Sequence, residues 1–286
     1  MGPRRRTFLL ALLACAISLL ALAGVASANA LAPETGGSPN ADRTHTIYVV
    51  LLVISAVVFF GVEGLLLYTV VRFRARKGAV AAQIRGNTRL EIGWTVATAV
   101  VLLGIVIFTL VELRAIKNPD RSGANGFASS SDANLYASLG QPAPPGKGLK
   151  ITATGRQFVW RYDYPNGAAA YYELVVPTDT TIRLDIESSD VVHSWWIPKL
   201  GGQFDAVPGQ ANHTWFKVPG KLAGHTFSGA CAELCGRGHA NMLASVRAVT
   251  PPQFGAWVAA QKTQLNEANK AAAAAAATQD PLAGKH

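Results

Sequence analysis

From Ile47 to Val71, and again from Ile92 to Val111, the sequence is predominantly apolar, with Glu63 the one charged residue in the two stretches together. A helix that is apolar all round is buried in lipid or in a large core. Each stretch can cover about 30 Å of hydrocarbon at 1.5 Å per residue, so the pair predicts two transmembrane helices. The connection between them, "RFRARKGAVAAQIRGNTR", holds Arg72, Arg74, Arg76, Lys77, Arg85 and Arg89 and no acid. By the positive-inside rule it lies in the cytoplasm, which places both mature termini outside.

Upstream, Arg4, Arg5 and Arg6 precede an apolar run that ends in "GVASANA". This is the pattern of a secretory signal peptide over residues 1–28, cleaved near Ala28 or Ala30, so the outer part of the chain meets an oxidising compartment. "RRTFL" is similar to a twin-arginine export signal and "LLAC" to a lipoprotein box at Cys15. The apolar run continues past Cys15, however, which favours a plain signal sequence. Much of the formal charge of +9 comes from these arginines and the cytoplasmic loop. Residues 149–249 hold 9 basic and 8 acidic residues, with no basic stripe of the kind a phosphate backbone requires, which excludes nucleic acid as a partner.

Organisation along the rest of the chain follows from composition. The two helices and their loop occupy residues 42–116. Residues 117–148, ending in "GQPAPPGKG", have the composition of a flexible linker. From Leu149 the runs "LKITATG", "RQFVWRYDY", "AAYYELVVP", "TIRLDIESS" and "HTWFKV" favour strands and are separated by turn residues. They predict an all-β sandwich or barrel over residues 149–250. Residues 251–286 open on Pro251 and read as a helix whose alanine-rich tail is expected to fray from about Lys270.

One stretch carries chemistry. "CAELCGRGHANM", residues 231–242, places Cys231, Cys235, His239 and Met242 in a single loop. Two exported cysteines alone suggest a structural disulfide. Two thiols, an imidazole and a thioether in one loop suggest a metal instead, and "DVVHSWWIP" offers a second imidazole at His193. Soft thiolate and thioether with imidazole select copper, whereas structural zinc uses closer Cys-x2-Cys pairs without Met. A mononuclear blue-copper site needs only one Cys, so the second asks for a second metal ion.

With these residues in place the chain resembles subunit II of the haem-copper cytochrome c oxidases, from the first apolar segment to about Pro251. The resemblance implies a two-helix transmembrane hairpin followed by a cupredoxin-like Greek-key barrel. It implies a binuclear copper centre, CuA, in which Cys231 and Cys235 bridge two copper ions, His193 and His239 each bind one, Met242 is a weak ligand and the carbonyl of Glu233 completes the other. It also implies that the Glu233 side chain faces a magnesium ion at the boundary with subunit I. The expected partners are subunit I with its haem and copper, subunit III, membrane lipid, and cytochrome c as donor. The expected location is the plasma membrane, spanned more than once, with the CuA domain on the extracytoplasmic side. The implied activity is that of the proton-translocating cytochrome c oxidase, in which this subunit receives electrons.

Other residues carry over one at a time. The family position for the tryptophan through which electrons arrive is Phe158 here, and Trp160 matches a second tryptophan two residues later. The role stays open between Trp160 and a path through Phe158 or Tyr162. Asp163 and Asp205 are candidates to face a basic cytochrome c. Glu91, in "RLEIGWT", matches a glutamate at the mouth of a proton channel, and Thr98 stands where the family often has proline. Glu63 is a carboxylate inside the first helix and needs a partner helix or a proton. His45, His213 and His225 read as surface or satisfied core residues, and Tyr164 as a core aromatic. Without a Cys-x2-Cys-His box, the chain is expected to carry no covalent haem c. Two alternatives within the chemistry are the CuA subunit of a nitric oxide reductase and a copper-binding assembly protein. A quinol oxidase subunit would lack the copper ligands.

Overall fold

The computed structural model describes residues 32–74, 78, 80, 83, 86–117 and 148–279. The expected signal peptide with Cys15 and its candidate cleavage sites, most of the basic loop, residues 118–147 of the expected linker and residues 280–286 lie outside the described residues.

Helix α1 runs from Pro39 to Arg72 and α2 from Thr88 to Lys117. Both are longer than their apolar stretches, because each continues into polar turns at the outer end. Pro39 sits at the first helical position, where its fixed φ suits the helix and its missing N–H costs nothing. Arg43 of α1 meets Glu112 of α2 at 3.2 Å. The start of one helix therefore lies beside the end of the other, and the pair forms an antiparallel hairpin.

Ten strands follow: β1 Leu149–Arg156, β2 Val159–Asp163, β3 Ala169–Tyr171, β4 Glu173–Pro177, β5 Thr181–Ser188, β6 His193–Trp196, β7 Gln203–Ala206, β8 Asn212–Lys217, β9 Thr226–Cys231 and β10 Leu243–Val249. They form two five-stranded sheets, ordered β3-β2-β1-β5-β8 and β4-β10-β9-β6-β7. This is the all-β, cupredoxin-like domain expected behind the hairpin. Alternate residues of β1 and β5 point inward, including Leu149, Ile151, Ile182, Leu184 and Ile186, and meet Leu174, Val246 and Trp195 of the other sheet in one core. Period-two burial of this kind is what sets strand register.

One expected strand is in fact two. "AAYYELVVP" breaks at Tyr172, whose φ of 63° is left-handed, and the chain passes there from the first sheet (β3) to the second (β4). Few side chains favour that conformation. Bonds at both ends hold it: Tyr172 N–H donates to Trp160 O, and Tyr172 O accepts from Ser245 N–H.

The last helix, α3, spans Pro251–Gln279. Its first turns bury Phe254 and Val258 against the β-domain, with Trp257 against Tyr164. It does not fray at Lys270. A packed first turn seeds the helix, and alanine, the best helix former, propagates it.

The hairpin is fastened to β8. Ser38 leaves its own helix uncapped, and its Oγ accepts from Lys217 N–H at 3.2 Å. The Asn40 amide donates to Trp215 O, and the Trp215 indole donates to Ile116 O at 2.6 Å.

Candidate metal centre

Cys231 is the last residue of β9 and is paired with Trp195 of β6. The chain then loops through Cys235 and a single 3-10 turn at His239–Asn241 before re-entering the sheet as β10. The loop closes on itself through Cys231 N–H to Met242 O at 2.9 Å, Met242 N–H to His239 O at 3.1 Å and His239 N–H to Gly236 O at 3.1 Å. Gly236, at a φ of 129°, takes the bend that a side chain would oppose. His193, the first residue of β6, comes in from the neighbouring strand.

The donors converge. Cys231 Sγ lies 3.9 Å from Cys235 Sγ, 3.9 Å from His193 Nδ1 and 3.3 Å from the Glu233 carbonyl oxygen. Cys235 Sγ lies 3.6 Å from His239 Nδ1 and 3.8 Å from Met242 Sδ. A disulfide needs sulfurs about 2.0 Å apart, so both thiols are free. Ligands that share one tetrahedral ion, at bond lengths of about 2.3 Å for sulfur and 2.0 Å for nitrogen, stand roughly 3.5 to 3.8 Å apart. The observed spacings, 3.3 to 3.9 Å, are close to that range, so these donors stand near enough together to hold metal ions. Each thiol has an imidazole and one weaker donor beside it. The soft donor set fits copper.

The site is largely closed to solvent. Met242 and His193 are fully buried and both cysteines nearly so. Burial first, and then the neighbouring Cys231, push the Cys235 thiol up to about 11. A bound cation would reverse that by stabilising the thiolate, so binding a metal would release protons here.

Two residues that sequence reasoning passed over support the donors. Asp190 Oδ1 lies 2.8 Å from His193 Nε2 and accepts from Val191 N–H. Burial alone would raise its carboxyl, but hydrogen bonds from Gln157 N–H, His193 and Val191 N–H outweigh it and hold the group at about 2. Gln157 also donates from Nε2 to Cys235 O at 2.6 Å, tying β2's approach to the metal loop. Asp190 stands three residues before His193 in "DVVH", a spacing that could have marked it. Nothing local marks Gln157.

The candidate aromatics separate by depth. Phe158 is partly exposed and lies over the loop, where a Cβ on Gly238 would come within 2.6 Å of its ring. Trp160 is fully buried and meets His193 edge-on at 6.0 Å. Tyr162 is buried too, with its hydroxyl accepting from the Trp195 indole at 3.1 Å. Asp163 is held by Arg161 at 2.7 Å, and Asp205 is exposed on β7. Glu91 is exposed in the first turn of α2, and Glu63 lies on the open face of α1. His213 pairs with Asp185, His45 contacts the Pro33 carbonyl oxygen, and His225 is exposed. None of these three lies in the metal cluster.

Both parts of the chain have known relatives. Residues 26–111 match the family model for the cytochrome c oxidase subunit II transmembrane domain, and residues 168–249 the model for its periplasmic domain. Cytochrome c oxidase subunit 2 of Alkalihalophilus pseudofirmus is 30% identical over 236 residues; the alignment covers 80% of this chain and 61% of that protein. The probable cytochrome c oxidase subunit 2 of Rickettsia bellii is 29% identical over 260 residues, 83% of this chain and 86% of that one. Among solved structures, the periplasmic domain of subunit II of cytochrome oxidase from Bradyrhizobium japonicum is 34% identical, covering 41% of this chain and 96% of that domain with a TM-score of 0.39.

Proposed function

We propose, for a chain that belongs to the cytochrome c oxidase subunit II family, that it is the subunit through which a respiratory cytochrome c oxidase takes up electrons. It is a membrane protein with two spanning helices and its β-domain on the outer side. In this reading it accepts electrons one at a time from cytochrome c at a CuA centre and passes them to haem in subunit I, where O2 is reduced to water and protons are translocated. The supporting observation is the close approach of Cys231, Cys235, His193, His239, Met242 and the Glu233 carbonyl to one another, at 3.3 to 3.9 Å.

Cys231, Cys235, His193, His239, Met242 and the Glu233 carbonyl would hold two copper ions, which would supply a one-electron acceptor whose charge change is spread over several atoms. The residues of this chain hold that acceptor still. Asp190 fixes the His193 ring, Gln157 fixes the loop at Cys235, and the buried ring of Trp160 backs His193 so that little moves when charge arrives. Phe158, partly exposed where Trp160 and Tyr162 are buried, is the contact we assign to the arriving electron, with Trp160 beneath it. Asp205, which has no ion pair among the described residues, faces the donor, while the charge of Asp163 is partly neutralised by Arg161. The Glu233 side chain, exposed beside the loop, would hold magnesium at the subunit I boundary. Glu91 delivers protons at the cytoplasmic face, and the open apolar faces of α1 and α2 seat subunit I, with subunit III beyond.

The test is copper stoichiometry and the electron paramagnetic resonance spectrum of the full chain in detergent. Two coppers per chain with hyperfine splitting from two equivalent nuclei, lost in Cys231→Ser and in Cys235→Ser, are expected. Splitting from a single nucleus, or a disulfide and no copper, would overturn the reading and favour an assembly protein.

A further inference from the structure

Away from the metal loop, a cavity of about 340 Å³ opens where the outer end of α2 meets the first sheet. Its walls include Lys117 of α2, Lys150 of β1, Arg183 and Asp185 of β5, and His213 and Trp215 of β8. Basic side chains from four separate elements thus face one space. The single carboxylate is already engaged, with Lys150 Nζ at 2.6 Å and His213 Nδ1 at 2.8 Å. Arg183 stands directly beside Lys150 in the parallel pairing of β1 and β5, and like charges in that relation repel. Among the described residues no carboxylate pairs with Arg183 or with Lys117. The cavity therefore presents an excess of positive charge that a bound anion would relieve.

Its height relative to the membrane narrows the choice of anion. The Trp215 indole is fixed to Ile116 O in the last turn of α2, so the cavity sits at the outer end of that span. Lys117 stands six residues past Val111, the end of the apolar stretch, or about 9 Å at 1.5 Å per residue. The headgroup layer extends about 5 to 8 Å beyond a hydrocarbon core about 30 Å thick, so the Lys117 backbone stands just outside it and its side chain is long enough to reach back to phosphate depth.

We propose that this cavity binds the phosphate of an anionic phospholipid headgroup from the outer leaflet. Arg183 and Lys117 supply the charge-assisted hydrogen bonds, and Asp185 holds Lys150 and His213 in place on the adjoining wall. The site would fasten the β-domain to the membrane surface on the side where β8 already grips the helices. Inorganic phosphate has the same recognition chemistry, so the experiment must separate the two sources.

Native mass spectrometry of the full detergent-solubilised chain with phosphatidylglycerol, phosphatidylcholine or inorganic phosphate does so. We expect one tightly held phosphatidylglycerol per chain, weaker retention of phosphatidylcholine, and no displacement by millimolar phosphate. Arg183→Gln and Lys117→Gln should each weaken phosphatidylglycerol binding roughly tenfold, the loss expected for one hydrogen bond to a charged group. Arg183→Lys should recover part of it, and Lys221→Gln, outside the cavity, should bind like the unmodified chain. Near-UV circular dichroism identifies a variant that fails to fold, and Lys117→Gln, on a helix end, keeps the test open if Arg183→Gln does so. Folded Arg183→Gln and Lys117→Gln chains that both retain the lipid undiminished would overturn the proposal. So would occupancy by inorganic phosphate alone.

Discussion

His193 Nε2 lies 2.8 Å from Asp190 Oδ1, and this hydrogen bond turns the other ring nitrogen, Nδ1, toward Cys231 Sγ at 3.9 Å. A carboxylate behind a metal-binding imidazole sets its tautomer and raises its basicity. Asp190→Ala is therefore expected to lower copper affinity about 10- to 100-fold, measured by competition with a chelator on the full chain. Asp190→Asn, whose amide oxygen can still accept from Nε2–H, should lose less. Equal affinity in all three proteins would show that the ring is held by packing alone.

The fit of Phe158 onto the metal loop gives a second expectation. Gly238 has an ordinary φ of −95°, so alanine there meets no backbone penalty, but its Cβ would lie 2.6 Å from the Phe158 ring. Gly238→Ala should cost about 1 to 3 kcal/mol by overpacking. Adding Phe158→Leu should return part of that loss, because neighbours that share a contact are not additive. Urea unfolding followed by tryptophan fluorescence measures both, and simple additivity would mean the ring moves aside freely.

Acid sensitivity should arise in part at Asp185. Burial alone would raise its carboxyl, but the bonds from Lys150 and His213 outweigh this and hold it below the ordinary 3.8. A carboxyl depressed in the folded state adds stability that is present above pH 3.8 and is lost as pH falls through the lower folded value. Partial exposure limits the effect to under about 1 kcal/mol. Asp185→Asn should lower stability at neutral pH and flatten the acid limb of the stability profile. An acid limb as steep as that of the unmodified chain would place the sensitivity elsewhere.

Tyr164 joins the end of β2 to β4. Its buried hydroxyl donates to Val175 O at 2.9 Å and accepts from Val175 N–H at 3.0 Å, while its ring packs on Phe254 and Trp257 of α3. Tyr164→Phe keeps the ring and leaves two backbone groups without that partner, at a cost of about 1 to 3 kcal/mol. Faster amide hydrogen exchange at Val175 should accompany the loss. Unchanged exchange there would mean water replaces the hydroxyl.

How much of this was legible in the sequence depended on how local each feature is. The transmembrane hairpin was, because a helix in lipid must be apolar on every side and nothing distant can substitute for that. The soft-donor loop was also legible, since Cys231, Cys235, His239 and Met242 are contiguous and the loop's own backbone bonds bring them together. The period-two runs announced a β-domain for the same reason. Tertiary structure alone decided the rest. The break at Tyr172 needs a left-handed tyrosine, which no local preference supplies; bonds to Trp160 and Ser245 impose it. Gln157 reaches Cys235 across 78 residues, and that contact exists only once β2 and the metal loop are packed at a particular register. Which face of β2 goes inward is likewise decided by packing: Trp160 and Tyr162 are buried and Arg161 between them is exposed, while Phe158, in the turn before β2, covers the metal loop. Alternation along a strand fixes only that neighbouring side chains part company, and packing against the second sheet determines which of them goes inside.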